Sequence, residues 1–295
     1  MSLVSLRPPY NYYGIENPNF KKSRVVIFPV PYEGTVSYQH GTSLGPQAII
    51  TASRQVELYD IELKQDISKL PVYTLPELEP STDSPAQVIN MVQHVTAKNA
   101  QYGKFQITLG GEHSITLGAV RGYQRKYNDL SILQLDAHTD LREKYEGSRY
   151  NHACVMKRCR EVVSNVVQCG IRSQCAEEAR AISTRRWQHD VFYGSPPPFE
   201  AVLGRLTKHV YLTIDLDVLD PSFMHATGTP EPGGWTWDDL MSTLRFVFRS
   251  CNVVGADVVE LAPIPGVAAP DFIAAKIVHK LICYKSYPKR IPKGA

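Results

Sequence analysis

The 295-residue sequence lacks the features that mark membrane-spanning, secreted or nucleic-acid-binding proteins. It has no run of about 18 apolar residues, which a membrane-spanning helix requires, and its start lacks the basic segment and apolar core of a signal peptide. An excess of one charge is also missing, because 32 basic side chains stand against 29 acidic ones. That balance does not indicate a nucleic acid or a membrane surface as a partner. We therefore expect a soluble protein.

Paired cysteines are missing as well. No Cys-x-x-Cys motif occurs, so neither a disulfide framework nor an extracellular setting is indicated. We predict a reduced, cytoplasmic protein. The six cysteines are scattered, at Cys154, Cys159, Cys169, Cys175, Cys251 and Cys283.

Short apolar runs alternate with helical patterns along most of the chain. Strands are predicted over 24–31, 104–109, 131–135, 165–170, 209–214 and 252–259, and helices over 45–53, 85–99, 115–126, 177–184, 237–248 and 270–284. This alternation is typical of an α/β fold, with a largely parallel sheet covered by helices on both faces. Because no break in composition divides the chain, we predict an irregular arm over 1–23 and a single domain over 24–295.

The stretch from Ser131 to Arg142, SILQLDAHTDLR, joins an apolar strand to a row of potential metal ligands. Asp136, His138 and Asp140 occupy alternate positions, and because strand side chains alternate between faces, all three point the same way where the strand ends. Carboxylates suit hard cations such as Mn²⁺ or Mg²⁺, and imidazole suits Mn²⁺, Zn²⁺ or Fe²⁺. Taken alone, the pattern fits an exposed polar turn equally well.

Two further predicted strands end at similar residues. His113 follows the strand over 104–109, and Asp215 and Asp217 follow the strand over 209–214. The carboxyl ends of parallel strands share one edge of the sheet, so all six side chains are expected to meet. Four unpaired carboxylates would repel one another, whereas two metal ions sharing bridging carboxylates would neutralise them. The sequence therefore predicts a binuclear metal centre.

Five motifs, in this order, resemble the ureohydrolase family of arginases, agmatinases and guanidinobutyrases. They are LGGEHSI, QLDAHTDLR, NHACVMKR, LTIDLDVLDPSFMHATGTPEPGG and DVVELAP. The resemblance covers nearly the whole chain from about Arg24. It implies a three-layer α/β/α sandwich with a mostly parallel eight-stranded sheet and two Mn²⁺ ions per subunit. It also implies a homo-oligomer, a trimer or hexamer, whose partner is a small guanidino substrate.

The resemblance also implies how the ligands are shared. One ion would be held by His113, Asp136, Asp140 and Asp215, and the other by His138, Asp136, Asp215 and Asp217. Asp136 and Asp215 would then bridge the two ions.

The implied chemistry is attack of activated water on a guanidinium carbon, giving urea and an amine. Asp140 would carry the proton to the departing amine, and His152 would act as a proton shuttle. Glu260 would hold the guanidinium, and Thr227 would line the site. Without the metal site, Glu260 would be interpreted as a surface carboxylate at a strand end and His152 as a neighbour of a helix cap.

The loop over 141–150, LREKYEGSRY, bears on the choice of substrate. Arginases carry small amide and hydroxyl side chains there, whereas this loop is charged and aromatic. Agmatine fits better, because its distal ammonium would be bound by Glu143 or Glu146. Ala153-Cys154 replaces the Gly-Thr of many agmatinases, so N1-aminopropylagmatine is an alternative. Guanidinobutyrate and arginine are further alternatives, with Arg142 available for an acidic tail.

Two other protein classes use related residues. A metallophosphatase also uses Asp-x-His, but it needs further Asn-His and His motifs after later strands, and none follows the later predicted strands of this sequence. A non-catalytic amine-binding relative would have lost ligands, and all six are present. The sequence favours a hydrolase that converts agmatine to putrescine and urea in polyamine biosynthesis.

Overall fold

The computed structural model describes residues 9–80 and 84–292. Within these ranges the strands are β1 (Val25–Val30), β2 (Tyr59–Asp60), β3 (Gln65–Asp66), β4 (Val72–Thr74), β5 (Phe105–Gly110), β6 (Leu130–Leu135), β7 (Asn165–Ile171), β8 (Val191–Tyr193), β9 (His209–Asp215) and β10 (Asn252–Val259). The helices are α1 (Gly45–Ser53), α2 (Pro85–Gln101), α3 (Thr116–Gln124), α4 (Val155–Cys159), α5 (Ala176–Thr184), α6 (Phe199–Leu203), α7 (Trp237–Ser250) and α8 (Ala269–Ser286). Every strand and helix predicted above is present, with ends close to those expected.

Eight of the strands form one sheet in the order β4-β1-β5-β10-β9-β6-β7-β8. Every pairing in it is parallel. Its central strands are apolar and β-branched and are buried along nearly their whole length, as expected for a sheet covered on both faces. The remaining two strands, β2 and β3, pair as a small antiparallel hairpin that the sequence did not predict.

Successive side chains along a strand belong to two apolar clusters, one on each face of the sheet. Leu133 and Leu135 join a cluster with α1, α7 and α8, whereas Ile132 joins one with α2, α3, α4 and α5. The two clusters make the three-layer α/β/α sandwich that the resemblance implied. Helix starts follow local signals: Ser84 accepts a hydrogen bond from the backbone N–H of Gln87, and Thr236 and Asp239 form a capping box.

The described part of the N-terminal arm lies over α8. The hydroxyl of Tyr12 donates to the carbonyl of Ala275 at 2.6 Å, and the hydroxyl of Tyr13 lies 3.0 Å from Nδ1 of His279. Both tyrosines are buried. The division of the chain into an arm over 1–23 and one catalytic domain over 24–295 stays a prediction.

In the described ranges no helix combines the length and the apolar character that crossing a bilayer would take. The connection before α2 includes residues 81–83, which lie outside the described ranges.

Candidate metal centre and cavity

Strands β5, β10, β9 and β6 are neighbours in the sheet, and the carboxyl ends of β5, β9 and β6 carry the predicted ligands. His113 lies at the centre of a first group. Its Nδ1 is 3.1 Å from Oδ2 of Asp136, 3.2 Å from Oδ2 of Asp140 and 3.3 Å from Oδ2 of Asp215. The structure thus brings three predicted carboxylate ligands, from the ends of two strands, around one imidazole nitrogen.

A second group surrounds His138. Its Nδ1 lies 2.8 Å from Oδ2 of Asp217 and 3.7 Å from Oδ1 of Asp136. Asp136 therefore presents one oxygen to each group, as a bridging carboxylate would. The sets His113, Asp136, Asp140 and Asp136, His138, Asp217 each offer ligand atoms within 4.8 Å of one another. Asp215 contacts the first group, and its predicted bridging role stays a prediction.

The imidazole of His113 is oriented for a cation. Its Nε2 lies 2.9 Å from Oγ1 of Thr213, which donates its own hydrogen to Oδ1 of Asp257 at 2.5 Å. The threonine can therefore only accept from Nε2, which fixes the proton there. Nδ1 makes no hydrogen bond within the described residues although it faces three carboxylates. A divalent ion would satisfy this buried donor set, so the residues fit the metal centre that the sequence predicts.

Asp257 anchors this arrangement from inside β10. Its Oδ2 accepts hydrogen bonds from Oγ1 of Thr116 at 2.7 Å and from the hydroxyl of Tyr211 at 2.6 Å. Burial raises the pKa of Asp257, and the three hydroxyl donors oppose that rise. The sequence did not predict Asp257 or Thr213 as part of the site. The one available signal was a charged residue in the middle of an otherwise apolar strand.

The charges of the side chains around His113 and His138 favour the binding of a cation. Burial and the neighbouring carboxylates of Asp217 and Asp140 raise the pKa of Asp136 to about 7. Burial lowers the pKa of His138, but the Asp217 carboxylate outweighs it, and the pKa rises to about 11. Without a cation, protons take the cation's place among these side chains.

Two predicted catalytic residues have left-handed backbones, which non-glycine residues rarely adopt. Asp140 has φ of 51° and Glu260 has φ of 67°. The backbone N–H of Glu260 donates to the carbonyl of Gly111 at 2.8 Å, and its Oε1 accepts from the backbone N–H of His113 at 2.6 Å. Oε2 lies beside Gly228, where a Cβ would be 3.2 Å away. One carboxylate oxygen is thus held by the protein, and the other lies next to a residue without a side chain.

A cavity of about 280 Å³ opens beside the two groups. Seven of the residues predicted from the sequence line it: His113, His138, Asp140, His152, Asp215, Asp217 and Glu260. Gly228 and Thr229 line it as well, whereas Thr227 is fully buried and lies outside the lining. Glu146 is exposed and also lies outside the lining. The substrate contacts predicted for Thr227 and Glu146 therefore stay predictions.

Glu178 lines the cavity although no sequence pattern had indicated it. Its Oε1 accepts from the backbone N–H of Leu141 at 2.8 Å, and its Oε2 accepts from that of Cys175 at 2.7 Å. The side chain is buried and, within the described ranges, forms no salt bridge with a basic residue. It is a negative charge at the cavity whose counter-ion the described chain does not supply.

Comparisons with known proteins agree with this geometry. A family model described as the arginase family matches residues 23–283. An N(1)-aminopropylagmatine ureohydrolase of Synechocystis sp. is 39% identical over 276 residues, covering 90% of each chain. An agmatinase of Bacillus anthracis is 35% identical over 255 residues, covering 84% of this chain and 87% of the relative.

Solved structures give the same picture. The agmatine ureohydrolase of Thermoplasma volcanium superposes with a TM-score of 0.84 at 30% identity, covering 98% of this chain and 97% of the other. An arginase from Bacillus subtilis gives a TM-score of 0.76 at 23% identity over 88% of this chain and 98% of the other, which bears on the fold alone.

Proposed function

The chain belongs to the arginase family, and from that premise we propose that it hydrolyses agmatine to putrescine and urea. The observation that carries the proposal is that five of the six predicted metal ligands and Glu260 line one cavity, while the sixth ligand, Asp136, is buried against His113 and His138. Six ligands with four carboxylates suit a pair of divalent ions better than one ion. Binuclear hydrolysis of a guanidino compound uses all of them.

We propose Mn²⁺ as the native metal, with the first ion held by the group around His113 and the second by the group around His138. Mixed carboxylate and imidazole donors suit Mn²⁺. Bound divalent ions would make water a nucleophile near neutral pH.

Glu260 is the proposed partner of the guanidinium. Burial, followed by the nearby Glu112 carboxylate, raises its pKa well above the usual value, so the site favours a bound cation. Oε1 is held by the backbone N–H of His113, which leaves Oε2 for a charge-assisted hydrogen bond to the substrate. This contact would orient the guanidinium carbon toward the two ligand groups.

Two side chains are proposed to move protons. Asp140, beside His113, would take the proton lost by the attacking water and pass it to the departing amine nitrogen. His152, on the cavity wall, would exchange protons with solvent through its imidazole. Both groups line the same cavity as Glu260, as proton transfer during one reaction requires.

Glu178 supports a substrate with a cationic tail. Its carboxylate accepts two backbone hydrogen bonds but pairs with no basic side chain among the described residues, and a distal ammonium would supply that positive charge. Agmatine and N1-aminopropylagmatine both meet that requirement, and the second is the alternative favoured by Ala153 on the cavity wall. An acidic tail, as in guanidinobutyrate or arginine, would instead depend on Arg142, which also lines the cavity.

A urea assay tests the proposed function. Purified protein loaded with Mn²⁺ is incubated with agmatine, N1-aminopropylagmatine, guanidinobutyrate and arginine, and kcat/KM is compared. We expect the highest value for agmatine and loss of activity with a chelator. A higher value for N1-aminopropylagmatine would replace the substrate but keep the reaction. Metal-replete protein that releases no urea from any of the four would overturn the proposal.

We also propose that the protein is a cytoplasmic homo-oligomer, a trimer or hexamer. The family resemblance supports the assembly, and the six free cysteines fit a reduced compartment. Light scattering on the purified protein measures the subunit number directly, and a monomer would contradict the proposal.

A further inference from the structure

Thr35, in the long loop after β1, is bound to a buried carboxylate. Its hydroxyl donates to Oε1 of Glu112 at 2.7 Å, and its backbone N–H donates to Oε2 at 2.5 Å. The backbone N–H of Gly34 and the hydroxyl of Ser114 complete the donors to Glu112. Glu112 has no solvent exposure. A carboxylate that receives four hydrogen bonds acts only as an acceptor, so the Thr35 hydroxyl hydrogen is committed to it.

The other side of Thr35 faces His152. Its Oγ1 accepts from the backbone N–H of His152 at 3.1 Å and lies 3.4 Å from Nδ1 of the imidazole. Its carbonyl accepts from the side-chain amide of Asn151 at 3.2 Å. Because the hydroxyl hydrogen points to Glu112, Oγ1 presents only lone pairs to the ring. The contact with Nδ1 is favourable only if Nδ1 carries the proton.

We propose that Thr35 is a positioning residue, which holds His152 in the Nδ1–H tautomer so that Nε2 keeps its lone pair for proton transfer in the cavity. Glu112 acts behind Thr35 by fixing the direction of its hydroxyl. The rings of Tyr145 and His152 are nearly perpendicular, with their centroids 6.2 Å apart. The role assigned to His152 rests on the proposed function, whereas the tautomer does not.

Three variants distinguish the effect of the Thr35 hydroxyl on the orientation of His152 from the effect of side-chain volume. Thr35→Val keeps the volume but removes the acceptor, Thr35→Ser keeps the hydroxyl, and Thr42→Val is the matched control. Thr42 is fully buried, and its hydroxyl has no hydrogen-bond partner within the described residues. With agmatine and Mn²⁺, we expect Thr35→Val to lower kcat about 100-fold with KM within about 2-fold. Thr35→Ser should recover kcat to within about 3-fold, and Thr42→Val should match the wild type. A kcat for Thr35→Val within about 2-fold of the wild type would overturn the proposal.

A spectroscopic measurement reports the tautomer without any turnover. Protein with ¹⁵N-labelled histidine, loaded with diamagnetic Mg²⁺, is compared by NMR with its His152→Gln variant to assign the His152 ring nitrogens. We expect a protonated Nδ1 in the wild type and in Thr35→Ser, and an altered tautomer ratio in Thr35→Val. A protonated Nε2 in the wild type overturns the inference even if Thr35→Val fails to fold. Failure of the urea assay alone would count against the proposed function and not against this tautomer.

Discussion

At the scale of single residues, Asp136 has the most demanding position in the site. Its Oδ2 faces His113 and accepts from the side-chain amide of Gln134, while its Oδ1 faces His138 and accepts from that residue's backbone N–H. The side chain has no solvent exposure. A carboxylate held on both edges can join two cations, and among the described residues no other predicted ligand lies within 4 Å of the ring nitrogens of both histidines.

Asp136→Asn is therefore expected to remove metal and activity together. An amide offers one weak ligand oxygen in place of two charged ones, so at least one ion per subunit should be lost and urea release should fall by more than about 100-fold. Elemental analysis after gel filtration gives the metal content. Asp129→Asn is the matched control, because Asp129 precedes the same strand and its exposed carboxylate pairs with His209, away from the ligand groups. Retention of two ions per subunit in the Asp136 variant would move the bridge to another residue.

Residue patterns at the ends of single strands predicted the metal ligands, but they did not predict the side chains that hold those ligands in place. The alternation of Asp136, His138 and Asp140 is visible in the sequence because strand geometry has a period of two. The contact between Thr213 and Asp257 depends on β9 and β10 being neighbours, which no local pattern encodes. Glu178 is likewise brought to the cavity by the start of α5. Side chains whose role arises across strands could not be predicted from spacing.

At the scale of elements, the ends of β1 and β5 approach so closely that only glycine fits at Gly111. A Cβ there would lie 2.1 Å from the carbonyl oxygen of Tyr32. The same carbonyl oxygen accepts a hydrogen bond of 2.9 Å from the backbone N–H of Glu112. Gly111 stands in the motif LGGEHSI, but the sequence alone could not identify a neighbouring strand end as its close contact.

Gly111→Ala should push β1 and β5 apart at their carboxyl ends. Overpacking of this kind costs about 1–3 kcal/mol of unfolding free energy, and the displacement would also move the adjacent His113. Urea denaturation measures the first effect and metal content the second. Gly204→Ala is the matched control, since the nearest atom to its Cβ, the carbonyl oxygen of Glu200, would be 3.4 Å away. Equal stability and metal content in both variants would contradict the role assigned to Gly111.

Strands and helices with long sequence patterns were predicted, whereas the short β2–β3 hairpin and the short helix α6 were not. Helix α2 begins at Pro85 because Ser84 caps it, and β10 is eight residues of nearly continuous apolar sequence. The hairpin of β2 and β3 has two residues in each strand, too few for any period to appear. Helix α6, with five residues, was missed for the same reason.

At the scale of the whole molecule, one buried polar network joins three segments that are distant in sequence. Asp60 from β2 lies 2.6 Å from Nζ of Lys280 and 3.3 Å from Nε2 of His279, both on α8. The N-terminal arm reaches the same histidine through Tyr13. His279, Asp60 and Cys283 are close enough to hold a metal ion, but both Asp60 oxygens are already used, by Lys280 and by the backbone N–H of Leu63. The network is better explained as an internal ion pair.

The parallel α/β class could be predicted from the alternation of strands and helices, but the order of strands could not. The resemblance supplied an eight-stranded sheet, and the structure agrees. What brings His113, Asp215 and Asp136 together is the adjacency of β5, β10, β9 and β6, which requires the chain to cross over repeatedly. Loop length alone permits many other orders.

The ion pair of Asp60 and Lys280 should make stability depend on pH. Burial raises the pKa of Asp60, but hydrogen bonds from His279 and Lys280 outweigh it and hold the pKa well below the usual value. A carboxylate with a lowered pKa stabilises the fold above about pH 4, and that contribution is lost as the pH falls toward its folded-state pKa. Asp60→Asn should therefore cost about 2 kcal/mol at pH 7, because it removes one of the two carboxylates that pair with the buried Lys280 ammonium and leaves Glu62 as its charge partner. The difference from the wild type should shrink between pH 4 and about pH 2.5.

Urea denaturation at pH 7, 5, 4, 3 and 2.5 measures this difference, with Asp66→Asn as the control. Asp66 lies in the same hairpin but is exposed, and its carboxylate accepts from the backbone N–H of Ser68. Its removal should leave the free energy of unfolding close to that of the wild type. A difference for Asp60→Asn that stays constant from pH 7 to pH 2.5 would mean that its charge does not hold α8, β2 and the arm together. The hydrogen bonds of the side chain would then carry that role alone.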